Sequence, residues 1–95
     1  LTNTADTGNP DLMVLEVHYF AAAAAAAGCA EERLELPTGM TLAGLRELLA
    51  GRGLELAKVI GVSSYLVNSV STPSDSLTEL RDGDRVDVLP PFAGG

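Results

Sequence analysis

The chain has one cysteine, one histidine and no tryptophan, its aromatics amount to 4% of residues, and six basic side chains stand against thirteen acidic ones. Each shortage removes a class of function. Cys29, alone, cannot close an intrachain disulfide, which excludes an oxidised secreted scaffold. It follows an alanine run with no basic or His neighbour to lower its pKa, so it reads as a passive thiol. His18 has no His or Cys within four residues, so no metal-ligand spacing exists, and no adjacent Ser or Asp completes a nucleophile with its base. A formal charge of −7 disfavours nucleic acid and anionic membrane surfaces, which require clustered Lys and Arg, and suits a partner with a basic face. No Gly-rich phosphate loop occurs. The longest apolar run, residues 20–27, is too short to span a bilayer and lacks the basic flank of a signal peptide. The cytoplasm is the expected compartment. Without Trp, the core must be filled by Leu, Val and Ala.

What is present fits one small domain. Residues 1–11 are polar, turn-rich and without apolar periodicity, and read as a disordered leader. From Leu12 the residues Met13, Leu15, Val17 and Tyr19 alternate with Val14, Glu16, His18 and Phe20, the pattern of a strand with one dry and one partly dry face. Seven alanines, residues 21–27, then predict a short docked helix that stops at Gly28 in a left-handed conformation. Residues 32–36 alternate as a second strand, closed by Pro37 and Gly39. Thr41 is a good N-cap, and Leu42, Leu45, Leu48 and Leu49 form the apolar stripe of a helix over residues 42–50. Gly44 within that helix suggests close packing against a strand. Residues 59–62 are apolar but short and broken by Gly61. Residues 65–68 and 70–72 predict two further strands about an Asn68-Ser69 turn. Leu77 and Leu80 are expected core anchors of a turn segment. Asp82-Gly83-Asp84 predicts a tight turn into a last strand over residues 85–89, with Val86 and Val88 inward and Asp87 and Leu89 outward. Pro90-Pro91 ends the ladder, because two successive residues lack an N–H. Only one helix is long enough to cover a sheet face. The expected fold is therefore α+β, a mixed four- or five-stranded sheet packed on one main helix, with a domain at residues 12–89 and a flexible arm at 90–95.

The arm carries the chemistry that the body lacks. Asp82, Asp84 and Asp87 could form a carboxylate-only metal site, but an Asp-Gly-Asp turn followed by an outward residue explains them more simply. Gly94 and Gly95 have no Cβ and can enter a narrow channel in another protein. An α-carboxylate is ionised at neutral pH and is a poor electrophile. Gly95 becomes reactive once another enzyme condenses it with ATP to an acyl-adenylate, from which a sulfur donor displaces AMP to leave a thiocarboxylate. Residues 90–95 reach at most about 20 Å when extended, and the prolines keep the base of the arm stiff. Phe20, Leu89 and Phe92 are the apolar residues expected outside the core, an exposed patch suited to a partner.

Leu77 with the run Leu80-Arg81-Asp82-Gly83-Asp84-Arg85-Val86, continuing through Leu89-Pro90-Pro91-Phe92-Ala93-Gly94-Gly95, resembles the ending of the ubiquitin-like sulfur-carrier family. The resemblance is to the branch that contains the small subunits of molybdopterin synthase. Val67-Asn68, the first strand and the main helix are similar as well, so the likeness covers about residues 13–95 and is specific at the end. It implies a β-grasp fold and a sulfur carrier of molybdenum cofactor biosynthesis that is not an enzyme by itself. It further implies adenylation of Gly95 by a ubiquitin-activating-type enzyme that uses ATP, and sulfur delivery to precursor Z in the large subunit of the synthase. No bound cofactor or metal is implied. The partner-binding residues it implies are Phe20, Leu89, Pro90, Pro91, Phe92, Ala93 and Gly94, and the partners are the large subunit, the activating enzyme and a sulfur donor. Two positions depart from the family pattern: alanines replace an Arg-Glu pair after the first strand, and Ser69 replaces the usual Gly after Val-Asn. A carrier for thiamine or cysteine synthesis, a ubiquitin-like modifier joined to target lysines, and a plain adaptor with a vector-derived end are the alternatives. Pro90-Pro91 favours the molybdopterin branch.

Overall fold

The computed structural model describes residues 11–91. Eight elements follow one another: β1 (Leu12–Tyr19), α1 (Ala22–Ala27), β2 (Glu31–Pro37), α2 (Leu42–Ala50), α3 (Leu54–Val62), β3 (Ser64–Val67), β4 (Val70–Thr72) and β5 (Arg85–Leu89). The strands form one five-stranded sheet in the order β2-β1-β5-β3-β4. β1 and β5 lie parallel at its centre, and the remaining pairs are antiparallel. This is the mixed-sheet, ubiquitin-like β-grasp arrangement that the sequence pattern implies.

The alternation in β1 is realised, with Met13, Leu15, Val17 and Tyr19 buried. They meet Val86 and Val88 of β5, Tyr65 of β3, and Leu42, Leu45 and Leu49 of α2 in a single core. Each such side chain contributes roughly 1.5–3 kcal/mol by leaving water. Thr41 caps α2 as expected, its hydroxyl accepting from the Gly44 N–H at 3.0 Å. The close neighbour of Gly44 is not a strand. A Cβ there would stand 2.8 Å from the Met40 sulfur, in the loop that enters the helix.

The sheet is covered by more than one main helix. α3 is as long as α2, nine residues each, and buries Leu56 and Ile60. Gly61 and the β-branched Val59, Ile60 and Val62 disguise it as a broken strand. The stripe Leu56, Val59, Ile60 at i, i+3, i+4 and the Glu55–Lys58 pair at 3.7 Å are its helical signature. Leu77 is a second correction: Leu80 is buried, but Leu77 is 78% exposed. Backbone bonds from Leu80 N–H to the Met40 carbonyl, 2.8 Å, and from Ala43 N–H to the Ser76 carbonyl, 3.3 Å, anchor this loop on either side of the exposed Leu77.

The hairpin between β3 and β4 turns through two residues with positive φ, Asn68 at 50° and Ser69 at 70°, the signature of a type I′ turn. Asn68 suits this conformation and also does a second job. Its side-chain oxygen accepts from the Arg85 N–H at 2.9 Å, and its amide donates to Asp84 at 2.8 Å. Val-Asn thus ties the hairpin to the first residue of β5. No described helix is long and apolar enough to cross a membrane.

Candidate functional site

Where β5 ends, three segments come together. Leu89 pairs with Ser64 of β3 on one side, and Val88 pairs with Tyr19 of β1 on the other. The Phe20 N–H donates to the Val88 carbonyl at 3.2 Å, which carries the β1 ladder one residue past the strand. The Phe20–Val88 bond thus sets Phe20 beside the end of β5 on the β1 side, and the Ser64–Leu89 pairing sets the start of β3 on the other. Pro90 is buried and Pro91 is exposed, so Pro90 anchors the root of the arm and Pro91 is where the chain departs.

Of the residues expected to face a partner, Phe20 is 40% exposed and Leu89 half-buried, and both lie at this root. Phe92, Ala93, Gly94 and Gly95 lie outside the described residues. The geometry brings Phe20, Leu89 and Pro91 together.

Ala21 has φ 52° and ψ −125°, a combination rarely adopted by residues with a Cβ. The Ala23 N–H donates to the Phe20 carbonyl at 2.9 Å across it, which makes residues 20–23 a tight turn into α1. That turn fixes Phe20 at the surface while Ala23 enters the core. Gly28, at φ 82°, then closes α1 with its N–H on the Ala24 carbonyl, as the sequence predicts.

The open face of the sheet next to the root is polar. His18 lies between two carboxylates, with Glu16 and Glu31 each at 3.2 Å from a ring nitrogen. Asp87, expected to point outward into solvent, is on that face but buried, and Arg85 covers it with a 2.7 Å bond from Nε. The neighbouring strand positions, His18 and Leu66, close it in from either side. A buried carboxylate survives because it is paired. The other two acids of this region are also committed. Asp82 accepts from the Val14 N–H at 2.7 Å, and Asp84 from Asn68 and from the Arg81 N–H at 2.8 Å. All three therefore have structural partners. Among the described residues no group of three or more His, Cys, Asp or Glu could hold a metal ion.

A third ionic cluster sits where β1, β2 and the end of α2 meet. The Tyr19 hydroxyl and the Arg52 guanidinium both donate to the same oxygen of Glu32, the latter at 2.6 Å. Burial pulls the Glu32 carboxyl upward, but these two hydrogen bonds and the Arg52 charge outweigh it and hold the group below its ordinary value. Burial, reinforced by the Glu32 carboxylate, pushes the Tyr19 phenol well above its ordinary value. Both shifts belong to a clamp that fastens strand to helix, since neither group lies at the arm.

The ThiS family matches the chain over residues 17–95. Among solved structures, the putative subunit 1 of the molybdopterin converting factor of Pyrococcus furiosus is 31% identical with TM-score 0.72, covering 84% of this chain and 99% of that one. Subunit 1 in the complex of subunits 1 and 2 of the Helicobacter pylori factor is 30% identical with TM-score 0.60, over 87% of this chain and 100% of that one. The small archaeal modifier protein 1 of Haloferax volcanii, 20% identical with TM-score 0.68 over 84% and 99% of the two chains, shares the fold. No curated protein matches the chain at a significant level.

Proposed function

This chain belongs to the ThiS family, and on that premise we propose that it is the sulfur-carrying small subunit of a two-component molybdopterin synthase. The observation that carries the proposal is its 30–31% identity, along nearly the whole of both relatives, to two subunits 1 of molybdopterin converting factors. One of those was solved together with its subunit 2, and a large subunit is therefore the partner proposed here.

The chemistry follows from the arm. The Gly95 carboxylate attacks the α-phosphorus of ATP in an activating enzyme, pyrophosphate leaves, and an acyl-adenylate forms. Hydrosulfide supplied by the sulfur donor then adds to the activated carbonyl carbon, the bond from that carbon to the phosphate oxygen breaks and AMP leaves, and loss of the thiol proton leaves a thiocarboxylate. The arm next enters the large subunit, where the thiocarboxylate sulfur bonds to a carbon of precursor Z; water then cleaves the acyl C–S bond, returning the Gly95 carboxylate and leaving the sulfur on the product, and two such transfers make a dithiolene. This domain holds the root of the arm and presents Phe20, Leu89 and Pro91 beside it. Phe92, Ala93 and Gly94 thread the channel. It binds no cofactor of its own in this scheme and performs no turnover alone, and the need for an ATP-consuming partner supports a cytoplasmic reading.

The discriminating experiment supplies the thiocarboxylated chain to the large subunit with precursor Z, and separately to a thiazole-forming enzyme. Dithiolene formation in the first mixture alone supports the proposal. Turnover in the second alone assigns the chain to thiamine synthesis. An adduct on target lysines in cell extract, without sulfur transfer, assigns it to protein modification.

A further inference from the structure

The sheet has two edges, and β2 is the long one, seven residues against three in β4. Its inner side pairs with β1, and among the described residues no strand pairs with its outer side. The register decides which backbone groups face outward. The Tyr19 N–H donates to the Ala30 carbonyl at 2.8 Å, and the Thr38 N–H to the Asp11 carbonyl at 3.0 Å. In an antiparallel ladder bonded pairs recur at every second residue, so Glu32, Leu34 and Leu36 direct their backbone groups at β1. Glu31, Arg33 and Glu35 turn their N–H and C=O groups away from the sheet. Their side chains are exposed on its open face.

Such an edge is a template for another strand, and charged residues usually oppose that pairing. Here two of the charges are uncommitted. Glu31 is held by His18 at 3.2 Å and Glu32 by Arg52 at 2.6 Å. Arg33 and Glu35 have no ion-pair partner among the described residues. A second β2 set antiparallel about a two-fold axis at Leu34 overlaps the first along its whole length, Glu31 opposite Pro37. Arg33 then faces Glu35 on both sides of the axis, each pair exchanging two backbone hydrogen bonds. Leu34, half-buried against the core, meets its copy on the axis in a non-hydrogen-bonded pair, where cross-strand side chains approach most closely. Other registers fail. An axis at Arg33 sets Arg33 against itself and Glu31 against Glu35, and an axis at Glu35 sets that carboxylate against itself. Like charges directly opposite are destabilising. An axis at Glu32 opposes two Glu32 side chains and overlaps only residues 31–33 of the strand.

We propose that β2 joins a second copy of this chain edge to edge, in the register centred on Leu34, to make one continuous sheet of ten strands. The contact is isologous, so through β2 the assembly stops at two copies. β5 of each copy is separated from the seam by β1 and β2, and the two β5 strands run in opposite directions. The seam therefore leaves the root of each arm outside it. A formal charge of −7 on each copy opposes approach, so the dimer belongs to concentrated solution.

Sedimentation equilibrium of the full-length chain, at up to about 1 mM, should show monomer and dimer in exchange. Arg33→Glu and Glu35→Arg should each weaken the dimer by about tenfold or more, because each sets like charges opposite. Both substitutions together restore the pairing with its polarity reversed and should recover the affinity to within about threefold. Net repulsion alone predicts otherwise, since Arg33→Glu makes the chain more acidic and Glu35→Arg less so. The Arg33 and Glu35 amides of the unsubstituted chain should exchange with solvent more slowly as concentration rises. The Ser71 amide, which faces outward on the β4 edge, should not change. Melting temperatures should stay near that of the unsubstituted chain, since both side chains are exposed. A chain that remains monomeric throughout overturns the proposal. So does a dimer that Glu35→Arg strengthens, or one whose Arg33 and Glu35 amides gain no protection. None of these measurements involves the large subunit, and the sulfur-carrier reading stands or falls separately.

Discussion

Glu32 receives two hydrogen bonds on a single carboxylate oxygen, from Tyr19 and from Arg52, and so joins β1 and β2 to the residue that follows α2. Its carboxyl is held below the ordinary value, burial acting against the shift and the two donors prevailing. A lowered carboxyl pKa stabilises the fold at pH values above the unfolded pKa, about 4.3 for Glu, and this contribution is lost as pH falls through the folded value. Glu32→Gln should therefore lower stability at pH 7 by about 1.5–3 kcal/mol, the range for hydrogen bonds to charged groups. The difference should shrink below about pH 4. Urea melts of both chains at neutral and acid pH check this, and a gap that does not change with pH would contradict it. The sequence did not expose this clamp, because Tyr19, Glu32 and Arg52 are separated along the chain and their meeting depends on the β1–β2 register. Asp87 was equally hidden. Strand alternation assigns it to the outer face, but only the positions of His18, Leu66 and Arg85 make that place a buried one.

The elements themselves were mostly legible, for local reasons. Alternation fixes β1, the Thr41 cap and leucine spacing fix α2, and Gly28 marks the end of α1. α3 escaped because its Gly61 and β-branched residues oppose helix formation locally. Its helix is sustained by packing of Leu56 and Ile60 in the core, and propensity alone gives no hint of that. Leu48 shows the converse: it belongs to the apolar stripe of α2 yet remains 38% exposed at its margin. The turn before α1 carries a conformational load, since Ala21 adopts φ 52° with ψ −125°. Such positions cost of order 1–3 kcal/mol for residues with a Cβ. Ala21→Gly should therefore raise stability, by about 1 kcal/mol once the greater entropy of the unfolded glycine chain is subtracted. A thermal melt reads this directly, and a lower midpoint would show that the turn is not strained.

At the scale of the whole molecule, an arm without charged side chains, residues 88–95, belongs to a chain whose formal net charge is −7. Two outcomes follow for association with the large subunit. If, as the proposed function requires, the large subunit takes an anionic phosphate substrate in a basic pocket, the acidic chain is steered towards it and the on-rate should fall as salt is raised. An on-rate indifferent to salt would remove that basic partner from the account. Phe92→Ala should weaken binding by more than about 1 kcal/mol, the loss of an aromatic anchor, and leave the melting temperature alone. Unchanged affinity would remove Phe92 from the contact.

The central claim concerns Gly95, and one measurement reaches it most directly. The chain, a variant lacking Gly95 and a variant extended by one residue are each incubated with the activating enzyme, ATP and the sulfur donor. Intact-mass and peptide-mapping spectrometry then locate any sulfur, with large subunit and precursor Z added to assay transfer. The account predicts that one oxygen of the Gly95 carboxylate is replaced by sulfur in the unaltered chain only, and that both variants melt normally but transfer nothing. Full sulfur transfer by the variant lacking Gly95 would contradict it.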